Sequence, residues 1–209
     1  AAELNNGDFV IICGDSTGHG VPGAIMSILN IACLREAYLQ GITSPDLILN
    51  ETRRLVIENL KNDGSEEGGK DGMDASLICF NPSKDRLTFC GANNPAWILR
   101  NQEWIELKPD KMPIGKHDKD SISFTLKEME LIKGDIIYLF TDGMPDQFGG
   151  PLGKKYKYNQ LKQFLLSIQH LSMDEQHQEI KTELNNWKGD LEQVDDILVI
   201  GLRILILPS

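Results

Sequence analysis

The spacing of hydrophobic and polar positions changes rhythm along the chain, and each rhythm predicts a different element. Phe9–Cys13 is a short apolar run rich in β-branched residues that stops at Gly14-Asp15, the pattern of a buried strand running into a turn. Ser16 to Gly20 is a tight glycine-rich turn. From Pro22 to Leu39 almost every face is apolar. Proline is tolerated in a first helical turn, so this segment predicts a buried helix packed on a sheet, ended by Gly41. Ser44-Pro45-Asp46 opens a second helix over roughly Asp46–Lys61, with Leu47, Ile48, Leu55 and Leu60 near one stripe and Glu51, Arg53 and Arg54 facing out.

A Gly/Glu/Lys/Asp loop over Asn62–Gly72 separates this half from a region of short runs: Ala75–Phe80, Leu87–Cys90, Ala96–Leu99 and Trp104–Leu107. The polar turns between them, such as Asn81–Asp85, are too short to join anything but antiparallel strands. Ile122–Leu126 and Asp135–Phe140 continue the pattern, and Val194–Leu207 adds one more strongly apolar strand. Tyr158–Ile168 and Met173–Trp187 read as helices, the second amphipathic. With no repeat and no linker, residues 1–209 are expected to form one α+β domain, an antiparallel β framework with helices laid against it.

Composition narrows the function. A net charge of −10 over 209 residues argues against a nucleic-acid partner, because phosphate backbones attract basic surfaces. It suits a site that gathers carboxylates around cations. No run approaches the ~18 apolar residues of a membrane helix, and no signal-peptide pattern is present, so no membrane contact is expected. Cys13, Cys33, Cys79 and Cys90 lie inside apolar segments with no C-x-x-C pair. They read as buried, reduced core residues of a cytoplasmic chain. The scattered histidines offer little to a zinc cluster.

Three apolar strands deliver an acid at their ends: Cys13-Gly14-Asp15, Thr141-Asp142-Gly143, and Gln193-Val194-Asp195-Asp196. Each alone reads as a turn or a solvated cap. Carboxylates brought together at one sheet edge would repel unless cations lay between them, and hard divalent ions such as Mg²⁺ or Mn²⁺ suit all-oxygen ligands. Two such ions ~3.5–4 Å apart hold and activate a water for in-line attack on phosphorus.

Six ordered motifs carry a resemblance. They are Gly14-Asp15-Ser-Thr-Gly-His-Gly-Val-Pro-Gly-Ala24, Lys70-Asp-Gly-Met-Asp-Ala75, Cys90-Gly-Ala-Asn-Asn-Pro95, Gly134-Asp-Ile-Ile-Tyr-Leu-Phe-Thr-Asp-Gly143, Asp146-Gln-Phe-Gly-Gly150 and Gln193-Val-Asp-Asp-Ile197. In this order they resemble the SpoIIE/RsbU-type serine phosphatases, the bacterial branch of the metal-dependent (PPM, type 2C-like) protein phosphatases. The resemblance implies a four-layer α-β-β-α sandwich of two mainly antiparallel sheets, with a dinuclear Mn²⁺ or Mg²⁺ centre in its cleft. Asp15 then bridges both ions, the Ser16 carbonyl binds one of them, and Asp142, Asp195 and Asp196 complete the acids. It also implies hydrolysis of phosphoserine or phosphothreonine by a metal-bridging water. The implied substrate is a phosphorylated regulator of the anti-anti-sigma kind, under an attached sensor or coiled coil that supports homodimer formation.

The family's domain has further strands upstream, among them a Ser-Gly-Asp-Phe-like segment near the metals, so the chain is expected to lack its N-terminal strands. Gly7-Asp8-Phe9 stands too close to Asp15 to be that segment, which leaves Asp8 a strand-edge residue. Ala92 replaces the acid that eukaryotic relatives use for a third metal, so no third site of that kind is expected. His19 either protonates the leaving oxygen or fixes the turn by hydrogen bonds. Asn93 and Asn94 either bind phosphate or shape a strand end. Asp74 either supports the metals or caps a strand, and Lys154, Lys155 and Lys157 either dock an acidic phosphoprotein or are solvated.

Two rival readings stand beside this one. Gly14-Asp15-Ser16-Thr17-Gly18 fits the G-x-S-x-G elbow and the GDS-type esterases, with Ser16 as nucleophile, His177 as base, Asp174 as its orienter, and an oxyanion-hole asparagine in Gly91–Asn94. Successive antiparallel strands over 75–140 count against the parallel sheet it needs. The other is a phosphatase-like fold that binds without turnover.

Overall fold

The computed structural model describes residues 1–18, 20–61, 71–81 and 84–205. In chain order these form β1 (Ala2–Glu3), β2 (Phe9–Ser16), α1 (Gly20–Leu39), α2 (Pro45–Lys61), β3 (Gly72–Phe80), β4 (Arg86–Ala92), β5 (Ala96–Arg100) and β6 (Glu103–Leu107). There follow β7 (Ile114–Gly115), β8 (Lys127–Glu130), β9 (Ile136–Phe140), α3 (Gly143–Asp146), β10 (Phe148–Gly149), β11 (Lys154–Lys155), α4 (Tyr158–Ser167), α5 (Met173–Lys188) and β12 (Val199–Arg203).

Alternation along the strands builds a layered core, because successive side chains leave opposite faces of a sheet. One sheet runs β1-β2-β3-β4-β8, with β7 also on β3, and the second runs β12-β9-β5-β6. All their ladders are antiparallel. Ile78, Leu87 and Phe89 from the first sheet meet Ile98, Ile137 and Leu139 from the second in the inner layer, all fully buried. Leu77 and Cys79 turn the other way and pack with Ile48 and Leu49 of α2. Trp97, Leu99, Tyr138 and Phe140 likewise leave the outer face of the second sheet and pack with Leu161 and Leu165 of α4. Helices outside and two sheets inside give the expected α-β-β-α order of an α+β sandwich.

The four cysteines are buried and free of disulfides. The predicted helix after Pro22 forms, but it is not buried all round. Gly23, Met26, Asn30, Cys33 and Ala37 face inward, while Val21, Ile25, Ile28 and Ile31 are more than 60% exposed. Among the described elements, α2, β2 and β3 make its main contacts, and these exposed side chains lie on the face turned away from them. In α2 the expected faces also shift: Leu47 is exposed, and Arg53 is buried beneath a loop.

Ile122–Leu126 alternates like a strand but does not pair as one. Two of its backbone donors are taken by side chains instead: Phe124 N donates to Asn50 Oδ1 at 3.1 Å and Thr125 N to Asp110 Oδ2 at 2.7 Å. The next four residues, the charged Lys127–Glu130, make the edge strand β8. Within Val194–Leu207 the ladder is confined to Val199–Arg203, and residues 206 and 207 lie outside the described set. The expected loop over residues 62–70 lies outside it too, as do Pro82 and Ser83 in the expected turn. Among the described residues no helix is long and apolar enough to cross a membrane.

Candidate metal centre

The three acidic strand ends meet at one end of the sandwich. Register places Asp15, one residue from the end of β2, directly opposite Asp74 on β3. On the second sheet β9 stops at Phe140, and Thr141 clamps the segment leading into β12. Thr141 N donates to Leu198 O at 3.0 Å, its Oγ1 donates to Asp196 O at 2.9 Å, and Leu198 N donates back to Oγ1 at 3.0 Å. Gly143 completes the clamp, since a Cβ there would sit 2.3 Å from the Asp196 carbonyl oxygen. Only a residue without a side chain lets these segments lie so close. As a result one carboxylate oxygen from each of Asp15, Asp142 and Asp195 lies within 4.8 Å of the others.

Charge in this cluster is unbalanced. Burial, then Asp142, Asp195, Asp74 and Asp196 in that order, push the Asp15 carboxyl up to about 7. Burial and then Asp195, Asp146 and Asp74 raise Asp142, and burial raises Asp74 against the pull of Asn93 and Lys111. Among the described residues no ion pair reaches Asp15, Asp142 or Asp195. The Asp142 Oδ1 atom is buried without a hydrogen-bond partner. Oxygen donors, mutual repulsion and an orphaned buried oxygen are what a hard divalent cation satisfies. The donor set therefore fits the expected Mn²⁺ or Mg²⁺.

Asp196 does not share the cluster. Its carbonyl is held by Thr141, and with Asp15 it lines a deeper cavity of about 530 Å³ between β2, α1 and Leu198. Ser16 pairs with Met73 across the ladder, and its hydroxyl accepts from Asn30 Nδ2 at 3.0 Å. His19 lies outside the described residues. Asn93 adopts a left-handed φ of 57° and donates from Nδ2 to Asp74 Oδ1 at 2.8 Å, while its backbone N–H donates to Asp110 O at 2.9 Å. Those bonds use Asn93 to shape the β4 end and hold Asp74. Asn94 is buried beside it. Asp8 accepts from Asn81 and Lys84 at the strand edge, away from the acids.

Lys154 and Lys155 form β11, and Lys155 pairs with Asp146 at 2.8 Å, four residues on from Asp142. Lys157 caps α4 with φ 70°. Asp174 and His177 are exposed on α5, which packs on β12 and β10, and among the described residues the partner of the Ser16 hydroxyl is the Asn30 amide.

Two contributors escaped the sequence reading. Asn30 is 1% exposed in α1 and donates from Nδ2 to both Ser16 Oγ and Gly72 O at 3.0 Å, tying the helix to the strand end that carries Asp15. A lone amide inside an apolar helix is its only sequence signal. Tyr158 stands at the start of α4 against Trp97 and Phe140. Burial, then Asp142, Asp146 and Asp74, push its phenol up to about 12.

The model of the family described as Stage II sporulation protein E (SpoIIE) matches residues 5–205. No curated protein matches. Among solved structures, the SiaA-PP2C domain of Pseudomonas aeruginosa is similar at 28% identity and a TM-score of 0.81, over 94% of this chain and 80% of that one. The SpoIIE phosphatase domain with a fragment of its regulatory domain, from Bacillus subtilis, aligns at 17% identity and 0.70, over 94% of this chain and 55% of that one. The catalytic domain of the serine/threonine phosphatase PstP, solved with two manganese ions, aligns at 16% identity and 0.62, over 95% and 91% of the two chains. The last two likenesses are likenesses of fold.

Proposed function

Because the chain belongs to the SpoIIE family, we propose that it is a metal-dependent serine/threonine protein phosphatase acting on a phosphorylated regulatory protein. The observation that carries this reading is the convergence of Asp15, Asp142 and Asp195, one carboxylate oxygen of each within 4.8 Å of the others, with no cationic side chain among the described residues paired to them. The similar SiaA-PP2C domain and the manganese-bound PstP support the class and the metal. Two Mn²⁺ or Mg²⁺ ions bound there would supply an activated water and offset the charge of the phosphoryl group.

The chain's own residues do the positioning. Asp15, with the Ser16 carbonyl next to it, would hold the ions together with Asp142 and Asp195, whose carboxylate oxygens lie within 4.8 Å of its own. Asp196 serves the site through its backbone, by way of Thr141 and Gly143. Asn93 holds Asp74 at the edge of the cleft. The substrate enters from the open side, where Asp15, Thr17, Asp74, Asp142 and Asp195 line a cavity of about 320 Å³. An anti-anti-sigma-like phosphoprotein is the substrate class this family reading favours, in the cytoplasm, with pairing of chains through regulatory regions.

Hydrolysis of an aryl phosphate and of a phosphoserine peptide with Mn²⁺ tests the reading against chelator and against Asp142→Asn. Activity should vanish in both controls and persist in Ser16→Ala. Activity that survives chelation but is lost in Ser16→Ala would make the protein a serine esterase. Mn²⁺ binding without turnover of any phosphopeptide would make it a binding module.

A further inference from the structure

Burying a guanidinium without a counter-charge is costly, and proteins normally compensate it with a carboxylate or a bound anion. Arg53 of α2 is 5% exposed and forms no ion pair with any described carboxylate. Its Nη2 donates to Asn50 Oδ1 at 3.0 Å and to Ile122 O at 2.6 Å. Among the described residues Nη1 reaches only the Met112 sulfur, at 3.5 Å, and the group lies 4.5 Å over the Phe124 ring. The acids whose fields it feels are Asp120 and Asp110. Both are otherwise engaged: Asp120 by Lys116 at 2.7 Å, and Asp110 by the backbone and hydroxyl of Thr125.

Arg53 forms part of the wall of a cavity of about 330 Å³ between α2 and the segment after β7. Arg54, Lys61 and Lys116 also line it, against two acids, Glu58 and Asp120. With Glu51, which pairs with Arg54 from outside the lining, four cations face three acids among the described residues, an excess of one positive charge in a chain whose net charge is −10. Arg54 is committed to Glu51 and Glu58, and Lys116 gives one of its three N–H groups to Asp120, whereas Lys61 pairs with no described acid. We propose that this cavity binds a tetrahedral oxyanion, a phosphate or phosphoryl group, with Arg53 as its charged wall and Lys61 and Lys116 as its donors at the mouth. Arginine and lysine are the usual partners of such groups.

The cavity is linked to the acidic cluster through the paired backbone of β7 and β3. Lys116 follows Gly115 directly, and Gly115 pairs with Gly72, whose carbonyl accepts from Asn30 and Thr17 beside Asp15. The two strands are in such close contact that a Cβ on Gly72 would lie 2.4 Å from the Ile114 carbonyl oxygen. A shift of the loop at Lys116 is therefore passed to the strand that carries Asp74.

The binding test needs no turnover and so stands apart from the phosphatase reading. Inorganic phosphate is titrated by thermal shift and by ³¹P NMR in chelator, with ionic strength held constant by chloride. The wild type should show a saturable rise in Tm, and the Lys61→Gln/Lys116→Gln double variant should bind phosphate about tenfold more weakly or worse. Asp142→Asn should bind as the wild type does. A phosphoserine peptide titrated into Asp142→Asn then identifies the source. Tighter binding than free phosphate, lost on adding the lysine substitutions, assigns a phosphoprotein; equal or weaker binding assigns the free ion. The proposal is overturned if phosphate does no more than chloride, or if the double variant binds phosphate as tightly as the wild type. Arg53→Gln is a supporting variant, with its folding checked by circular dichroism.

Discussion

Asn30 donates from its amide nitrogen to the Ser16 hydroxyl at 3.0 Å, fixing the middle of α1 to the last residue of β2. The same nitrogen reaches Gly72 O, so one buried amide holds helix, strand and neighbouring strand together. Asn30→Ala should cost about 1–3 kcal/mol, the range for an unmade buried hydrogen bond. It should also weaken Mn²⁺ binding, because the Asp15–Ser16 turn loses its anchor. Urea unfolding in chelator measures the first effect, and calorimetric Mn²⁺ titration measures the second.

Asp142→Asn should act in opposite directions on the two states of the site. Without metal, one of the mutually repelling carboxylates is gone, and Tm in chelator should rise. With Mn²⁺ the usual increase in Tm should shrink, and turnover should fall by more than the roughly 10–100-fold typical of losing an outer partner of a metal site. Paired melts with and without Mn²⁺, read beside the rate on an aryl phosphate, give both signs.

The pH dependence follows from Asp15. Its folded-state carboxyl lies at about 7, against an ordinary value of 3.8. Between those values the metal-free folded protein holds a proton that the unfolded chain has lost, so stability falls as pH rises through that window. The stabilisation is fully present below about 4 and gone above about 7. Tm in chelator should therefore decline from pH 5 to pH 8. With Mn²⁺ saturating, the dependence should reverse, because protons compete with the ion for the same oxygen. A Tm that rises with pH in chelator would refute the repulsion described for the cluster.

Gly143→Ala introduces a Cβ 2.3 Å from the Asp196 carbonyl oxygen. The clamp on β12 must open, at a cost of about 1–3 kcal/mol by analogy with overpacked cores. Since Asp195 is positioned by that clamp, Mn²⁺ affinity should fall with stability. Denaturant titration and Mn²⁺ titration on the same sample test whether the two losses travel together.

Much of this architecture is legible in the residue pattern. Ile78 and Leu77, or Ile137 and Tyr138, alternate between core layers as period-two strands must, and the abrupt polar ends at Asp15 and Asp142 mark where chemistry is held. Legibility fails where long-range packing overrides the local pattern. Ile-Ser-Phe-Thr-Leu over 122–126 alternates well, but Asn50 and Asp110 capture two of its donors. The charged Lys-Glu-Met-Glu of β8 hides an edge strand, the kind that carries charge to block further pairing. Arg53 reads as an outward residue until the 108–125 segment folds over it. Asn30 has no pattern at all; its role exists only once Ser16 and Gly72 are beside it.

Cys13 lies two residues before Asp15 on the same face of β2, fully buried, with burial and then Asp15 pushing its thiol up to about 12. The thiol next to the acids is thus held in its protonated form. Thiophilic ions, which compete well wherever a thiolate is offered, find no thiolate among the described residues at this end of the sandwich. The strand that delivers Asp15 also keeps the metal preference of its neighbourhood hard.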